Sequence, residues 1–180
     1  FRGPIYTNTA CAGLVPILLR DSANLAMSEA ERANRHASAE SRVAPPGVQS
    51  TMTPLFDLAD VEATLKQVRP IPYDLPRELL PGVTVRVRDA GHIMGSSSVE
   101  LWATEGGITR KLVFSGDLGQ YDTPILHDPW RFESADLVLM ESTYGDRRHR
   151  GREDTERELG GILARAERDG GNVIVPAFAI

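Results

Sequence analysis

Two segments decide the fold, and they read Asp89-Ala90-Gly91-His92-Ile93-Met94-Gly95-Ser96-Ser97-Ser98 and Phe114-Ser115-Gly116-Asp117-Leu118-Gly119. Valines alternate with polar residues over residues 83–88, which is the period-two pattern of a half-buried strand that ends near His92. A second strand, a Glu-Gly-Gly turn and a return strand follow over residues 99–115. Because a hairpin brings its outer ends together, the loops that hold His92 and Asp117 are predicted to be neighbours.

These two side chains suggest a metal site. Zinc binds imidazole nitrogen and carboxylate oxygen, and glycines on both sides of His92 and Asp117 permit the backbones to approach closely. The alternative is that these residues only stabilise their loops, since the side chain of an aspartate in a Ser-Gly-Asp turn forms hydrogen bonds with its own backbone. The residues alone leave both interpretations open.

The composition limits the class of protein. With 41% hydrophobic and 25% charged residues among 180, the chain is typical of a globular domain, and its apolar runs are too short to span a membrane. The single cysteine, Cys11, excludes an internal disulfide and fits a reducing cytoplasm. The net charge of −5 argues against a protein that coats nucleic acid. It does not argue against a nuclease, because carboxylates at a metal site add negative charge.

The remaining pattern predicts further helices and strands. Thr9 is the expected N-cap of a first helix, and Asp57 that of a second. The apolar runs at residues 137–140 and 173–175 predict strands buried on both faces. A helix over residues 154–168 lies between them, so the sequence predicts a right-handed parallel strand–helix–strand unit.

Other residues that could carry chemistry have plainer explanations. His36 is expected on a solvated helix face. His127, next to Asp128, is a second candidate metal ligand. The alternative is that His127 is an ordinary exposed loop residue. The basic run at residues 147–152 could contact phosphate, although a solvated loop is favoured.

A third segment, Glu141-Ser142-Thr143-Tyr144-Gly145-Asp146-Arg147, completes a recognisable series. In order and spacing the three segments resemble the later motifs of the metallo-β-lactamase/β-CASP nucleases, most closely the RNA-processing branch of the cleavage and polyadenylation specificity factor endonuclease. Residues 3–6 and 170–179 extend this resemblance. The family's upstream His-x-His-x-Asp-His cluster, which supplies most zinc ligands, does not occur here. The sequence is therefore expected to be a fragment.

The resemblance implies an α/β fold: a partial αββα metallo-β-lactamase sandwich over residues 1–145 and the start of a β-CASP domain at residues 146–180. It implies a zinc-dependent RNA phosphodiester hydrolase in the full-length parent, the fragment alone being inactive. His92 would bind one of two zinc ions and Asp117 would bridge both. Glu141 would act in catalysis by orienting a histidine from downstream. RNA is the implied substrate, and a homodimer is left open.

Two other classes compete with this hypothesis. One is a non-catalytic β-CASP scaffold in an RNA-processing complex, and His92 and Asp117 argue against it. The other is an uncapped small-molecule hydrolase of the same fold, which would lack the segments after Glu141 that resemble the entry to a cap. A DNA-repair β-CASP nuclease is disfavoured by the Glu-Ser-Thr-Tyr-Gly motif.

Overall fold

A computed structural model describes residues 1–40 and 51–177 and divides the chain into two compact units, which meet in sequence between Glu141 and Ser142. The predicted α/β class is confirmed. The elements are β1 (Ile5–Asn8), α1 (Thr9–Glu40), α2 (Leu58–Leu65), β2 (Val68–Ile71), β3 (Arg77–Leu80), β4 (Val83–Asp89), β5 (Ser97–Glu105), β6 (Ile108–Phe114), β7 (Leu137–Leu139) and α3 (Arg152–Asp169). None of the helices in the described part of the chain is both long and apolar enough to cross a membrane.

The larger sheet has the order β3-β4-β5-β6-β7 and is antiparallel except between β6 and β7. The predicted hairpin is confirmed, with Val99 opposite Phe114 and Glu105 opposite Ile108. Its turn consists of Gly106 and Gly107, both at positive φ (57° and 78°), a combination that matches the twist of the flanking strands. This sheet delivers the His92 and Asp117 loops to one end.

The apolar core lies against one face of this sheet. Ile71, Val85 and Val87 are buried at its centre, with partly buried neighbours Tyr6, Tyr73, Leu79, Val99 and Leu101. The smaller sheet consists of β1 and β2, which pair in parallel. The chain after β2 is tied to β4, because the Asp74 N–H donates to the Val87 carbonyl at 3.0 Å.

The helix ends follow the local sequence with one correction. The N-cap of α1 is Asn8, not Thr9, since the Asn8 Oδ1 accepts from the Cys11 N–H at 2.8 Å. Asp57 caps α2 as predicted, in a reciprocal capping box with Asp60. The left-handed Gly170 (φ 68°) ends α3 at the predicted stop.

The predicted burial of residues 137–140 and 173–175 is wrong. Leu137, Val138 and Leu139 form β7 but remain 52%, 56% and 46% exposed. In the described part of the chain β7 is an edge strand paired only with β6, and the faces of the strand lack the cover that a buried strand needs. Residues 173–175 form no strand, and the predicted strand–helix–strand unit is therefore not formed among the described residues.

A buried ionic cluster occupies the other face of the larger sheet, where alternation predicted half-exposed polar residues. The Glu100 side chain is 1% exposed and forms ion pairs with Arg86 (2.6 Å), Arg88 (3.3 Å) and Lys111 (2.7 Å). The Arg88 guanidinium also lies 3.8 Å from the Trp130 ring centroid, which helps to exclude water. Burial alone would raise the pKa of Glu100, but hydrogen bonds from Arg86 and Lys111 outweigh it and hold that pKa below its ordinary value.

Replacing Glu100 by Gln is expected to lower the free energy of unfolding at neutral pH by about 3 kcal/mol, because three cations lose their buried counterion. The folded-state pKa of Glu100 is lowered, so its stabilisation is present above the unfolded pKa of about 4.3 and is lost as the pH falls through the folded value. Chemical denaturation across this pH range should show the difference between wild type and variant shrinking in acid. Glu105→Gln, an exposed change on the same strand, is the control. A Glu100 effect as small as that of the control would contradict the prediction.

Candidate metal and catalytic site

Three segments meet at one end of the larger sheet. The loop after β4 carries His92, the loop after β6 carries Asp117, and Glu141 follows β7. The Gly119 N–H donates to the Ala90 carbonyl at 2.8 Å, which joins the first two loops. The Leu118 N–H donates to the Glu141 Oε1 at 2.5 Å, which joins the second loop to Glu141. The structure therefore brings the His92 and Asp117 loops together with Glu141.

Glycine is required where the loops cross. A Cβ on Gly119 would lie 1.6 Å from the Gly91 carbonyl oxygen and 2.7 Å from the His92 nitrogen, so no other residue fits there without moving a backbone. A Cβ on Gly91 would in turn lie 2.5 Å from the His127 carbonyl oxygen. The sequence showed that glycines flank His92 and Asp117. It did not show which backbone atoms these glycines contact.

The His92 loop is also fixed by its own hydrogen bonds. The Asp89 Oδ1 accepts from the Gly91 N–H at 2.8 Å, and the Ser96 Oγ accepts from the His92 N–H at 3.0 Å. Gly91 and Gly95 adopt positive φ values of 66° and 88°, which allows the tight reversal. The backbone around His92 is thus fixed while its side chain remains exposed.

The sequence analysis did not identify Asn8, whose side chain forms hydrogen bonds with the loop that carries His92. Asn8 is 4% exposed, and its Nδ2 donates to the Gly95 carbonyl (2.5 Å) and to the Ser97 Oγ (2.8 Å). The Cys11 thiol donates to the same Gly95 carbonyl at 3.1 Å. An asparagine before a helix indicates an N-cap, but nothing local in the sequence connects it with Gly95.

Glu141 is held at both its backbone and its carboxylate. Its N–H donates to the Ser115 Oγ at 3.0 Å, and its half-buried carboxylate receives the amide one residue after Asp117. The half-buried carboxylate thus accepts a hydrogen bond from a backbone amide of the Asp117 loop. Asp117 itself is exposed.

The donor set suits part of a zinc site. His92 and Asp117 present a nitrogen and an oxygen ligand from adjacent loops, the atom types that zinc binds. Zinc needs three or four protein ligands, and no group of three or more His, Cys, Asp or Glu residues able to hold a metal occurs among residues 1–40 and 51–177. The two side chains therefore fit zinc only with ligands added from elsewhere.

The other histidines lie in different settings. His36 is exposed on α1, as expected. His127 has an exposed side chain, and its backbone carbonyl lies next to Gly91. The His149 ring lies 4.2 Å from the Tyr144 ring within the second unit.

Replacing Gly119 by Ala is expected to separate the His92 and Asp117 loops and to lower stability by about 2 kcal/mol or more, because the new methyl group overlaps backbone atoms. Gly161→Ala is a matched control within α3, where an added Cβ meets nothing within 4 Å and alanine favours the helix. Thermal unfolding and amide chemical shifts of the two loops measure the effect. A Gly119→Ala protein as stable as the Gly161→Ala protein would show that the loops do not cross this closely.

Comparisons with known proteins agree with the motifs. No protein-family model matches the chain. The whole chain aligns with Ribonuclease TTHA0252 of Thermus thermophilus at 35% identity, covering 35% of that protein. It also aligns over its whole length with the transcription termination factor FttA of Methanocaldococcus jannaschii (25% identity) and of Thermococcus kodakarensis (28% identity), covering 25% of each.

The chain thus spans about a third or less of the length of the curated relatives it matches. Within that span, the His92 and Asp117 loops meet each other and Glu141 at one end of the larger sheet. The relatives and the motifs agree, and both relate the chain to the metallo-β-lactamase/β-CASP nucleases.

Proposed function

We propose that the full-length protein is a zinc-dependent ribonuclease that hydrolyses RNA phosphodiester bonds. The observation that carries the proposal is the Gly119–Ala90 hydrogen bond, which places the His92 and Asp117 loops side by side. The similarity to a protein named ribonuclease and to transcription termination factors supports RNA as the substrate. The cytoplasm is the proposed location, and a homodimer stays a prediction.

In this proposal the chain supplies part of the site. His92 would bind one zinc ion and Asp117 would bridge two, while a His-x-His-x-Asp-His cluster outside these 180 residues would supply the other ligands. When bound, zinc lowers the pKa of water and offsets negative charge on a phosphodiester. The 180-residue chain alone is therefore inactive and binds zinc weakly.

Glu141 is proposed as a positioning residue. Its carboxylate accepts the Leu118 N–H and so holds the backbone next to Asp117. We infer that the Glu141 carboxylate would also orient a histidine supplied from downstream and so fix the proton on that ring. Residues 1–145 would belong to the αββα sandwich, and residues 146–180 would begin the β-CASP domain.

Asp117→Ala in the full-length protein is expected to abolish RNA cleavage more completely than His92→Ala. Loss of a bridging carboxylate disturbs both metal ions, whereas loss of a terminal ligand disturbs one. Zinc content by mass spectrometry and turnover of a labelled RNA should be measured side by side. His36→Ala, an exposed histidine on α1, is the control.

Equal residual activity of the two variants would argue against a bridging role for Asp117. If the full-length wild-type protein binds RNA but neither holds zinc nor cleaves RNA, the ribonuclease hypothesis is rejected in favour of the non-catalytic scaffold.

The basic run at residues 147–152 is proposed to be a solvated loop. Arg147 lies 3.7 Å from an Asp146 oxygen and 5.2 Å from the Tyr144 ring centroid, and Arg150 pairs with Glu158. Two of its cations therefore already have carboxylate partners on an exposed surface, where such pairs are worth little.

Changing Arg147, Arg148 and Arg150 to Glu is accordingly expected to leave RNA affinity and its salt dependence unchanged. If these arginines bound phosphates, the slope of log affinity against log salt would fall by about 0.7 to 0.9 per contact, with turnover at saturating RNA preserved. Fluorescence anisotropy over a salt series distinguishes the two outcomes.

A further inference from the structure

The serine run Ser96-Ser97-Ser98 ends the first of the two segments that decide the fold, and the proposed function leaves it without a role. The run lies between the two ligand loops. It follows the His92 loop in sequence, and β5, which begins at Ser97, lies between β4 and β6 in the larger sheet. Buried hydroxyl groups need hydrogen-bond partners. Each of the three hydroxyls has a partner, and the three partners differ.

Ser96 closes the His92 loop. Its Oγ accepts hydrogen bonds from the N–H groups of His92 (3.0 Å) and Ile93 (3.4 Å). Its own N–H donates to the Ile93 carbonyl at 3.0 Å, and its carbonyl accepts from the Ala90 N–H at 3.4 Å. One residue therefore joins both ends of the loop and fixes the backbone from which the His92 side chain extends.

Ser97 connects this loop to the interior of the protein. Its Oγ accepts from the Nδ2 of the buried Asn8 at 2.8 Å and donates to the Tyr73 hydroxyl at 3.3 Å. The Tyr73 hydroxyl donates in turn to the Ser96 carbonyl at 2.9 Å, and its ring packs against the apolar core. Burial raises the pKa of Tyr73, so this hydroxyl keeps the proton that it donates. The donors and acceptors thus form a continuous chain from Asn8 to the His92 loop.

Ser98 contacts the other loop. Neighbouring residues of a strand point to opposite faces of the sheet, so the side chain of Ser98 points away from the partners of Ser97. Ser98 is 1% exposed, and its Oγ donates at 2.5 Å to the carbonyl of Ser115, which precedes Asp117 by two residues. A Cβ on Gly116 would lie 2.5 Å from the Ser97 carbonyl oxygen, so the two backbones also touch.

We propose that Ser96 and Ser98 are positioning residues for two different metal ligands. Ser96 holds the loop of His92, Ser98 holds the loop of Asp117, and Ser97 anchors the run between them. The proposal rests on the proposed function in taking His92 and Asp117 as zinc ligands. Because the two hydroxyls act on the backbones of separate loops, the loss of one should loosen one loop and spare the other.

Hydrogen exchange of the metal-free full-length protein, followed by mass spectrometry, measures the two loops separately. Ser96→Ala removes the acceptor of the His92 N–H and is expected to speed exchange in residues 90–96 by about 2- to 12-fold, with residues 115–119 unchanged. Ser98→Ala is expected to do the reverse. Ser28→Ala, the same change at an exposed position of α1, should alter neither loop.

Titration of the same variants with Zn²⁺ against a chelating indicator measures the effect on the ligands. Ser96→Ala is expected to weaken the binding of one of the two zinc ions by about 10-fold, because groups that orient metal ligands contribute about 10- to 100-fold to affinity. Ser98→Ala is expected to weaken both ions, since Asp117 would bridge them. Ser96→Thr keeps the hydroxyl and should restore the wild-type affinity.

Thermal unfolding identifies any variant that does not fold, and Ser96, which is only half-buried, provides the test if the buried Ser98 variant fails. Faster exchange in both loops of either variant would overturn the proposal. So would exchange rates like those of Ser28→Ala, or zinc affinities unchanged from wild type. If the variants show the expected exchange but the wild-type protein binds no zinc, the proposed function is refuted and the assignment of each serine to its loop is supported.

Discussion

The candidate site depends on the contact between two backbones, where Gly119 crosses Gly91 with no space for a side chain. The hydrogen bond from Gly119 to Ala90 fixes the distance between the loops, and the antiparallel pairing of β4, β5 and β6 fixes their direction. Asn8 holds the first loop from the α1 side, and Glu141 holds the second from the β7 side. The position of both loops is therefore determined by several contacts at once, which is what a site of convergent side chains requires.

The sheet that carries these loops is stabilised differently on its two faces. One face packs Val85 and Val87 against the apolar core, and the other encloses Glu100 among three cations. Apolar packing tolerates small displacements, whereas a buried ion pair is stabilising only with its geometry intact. The ion pairs of Glu100 join β5 to β4 through Arg86 and Arg88 and to β6 through Lys111, and the positions of the loops follow from the register of these three strands.

The sequence predicted those parts whose signals are local. Strict alternation with a Gly-Gly turn defined the hairpin, Asp57 with Asp60 defined the start of α2, and Gly170 defined the end of α3. Adjacency of the His92 and Asp117 loops followed from hairpin geometry. The interactions of Asn8 with Gly95, of Glu100 with Lys111 and of Glu141 with Leu118 could not be predicted, because each joins residues that only the tertiary fold brings together. The burial of residues 137–140 was predicted wrongly for a related reason. An apolar run indicates that other segments pack on the strand, but it does not identify those segments.

The exposed strand β7 has a practical consequence for anyone who handles this chain in isolation. Its outer edge pairs with no other strand of the described residues, and its apolar side chains are about half exposed. A bare edge of this kind is a template for β-pairing between molecules, and the short, uncharged run Leu137-Val138-Leu139-Met140 carries no lysine or proline to discourage it. Aggregation through this edge would be concentration-dependent, so dilute solutions, or a charged substitution at the strand, are the conditions under which the isolated chain can be studied as a monomer.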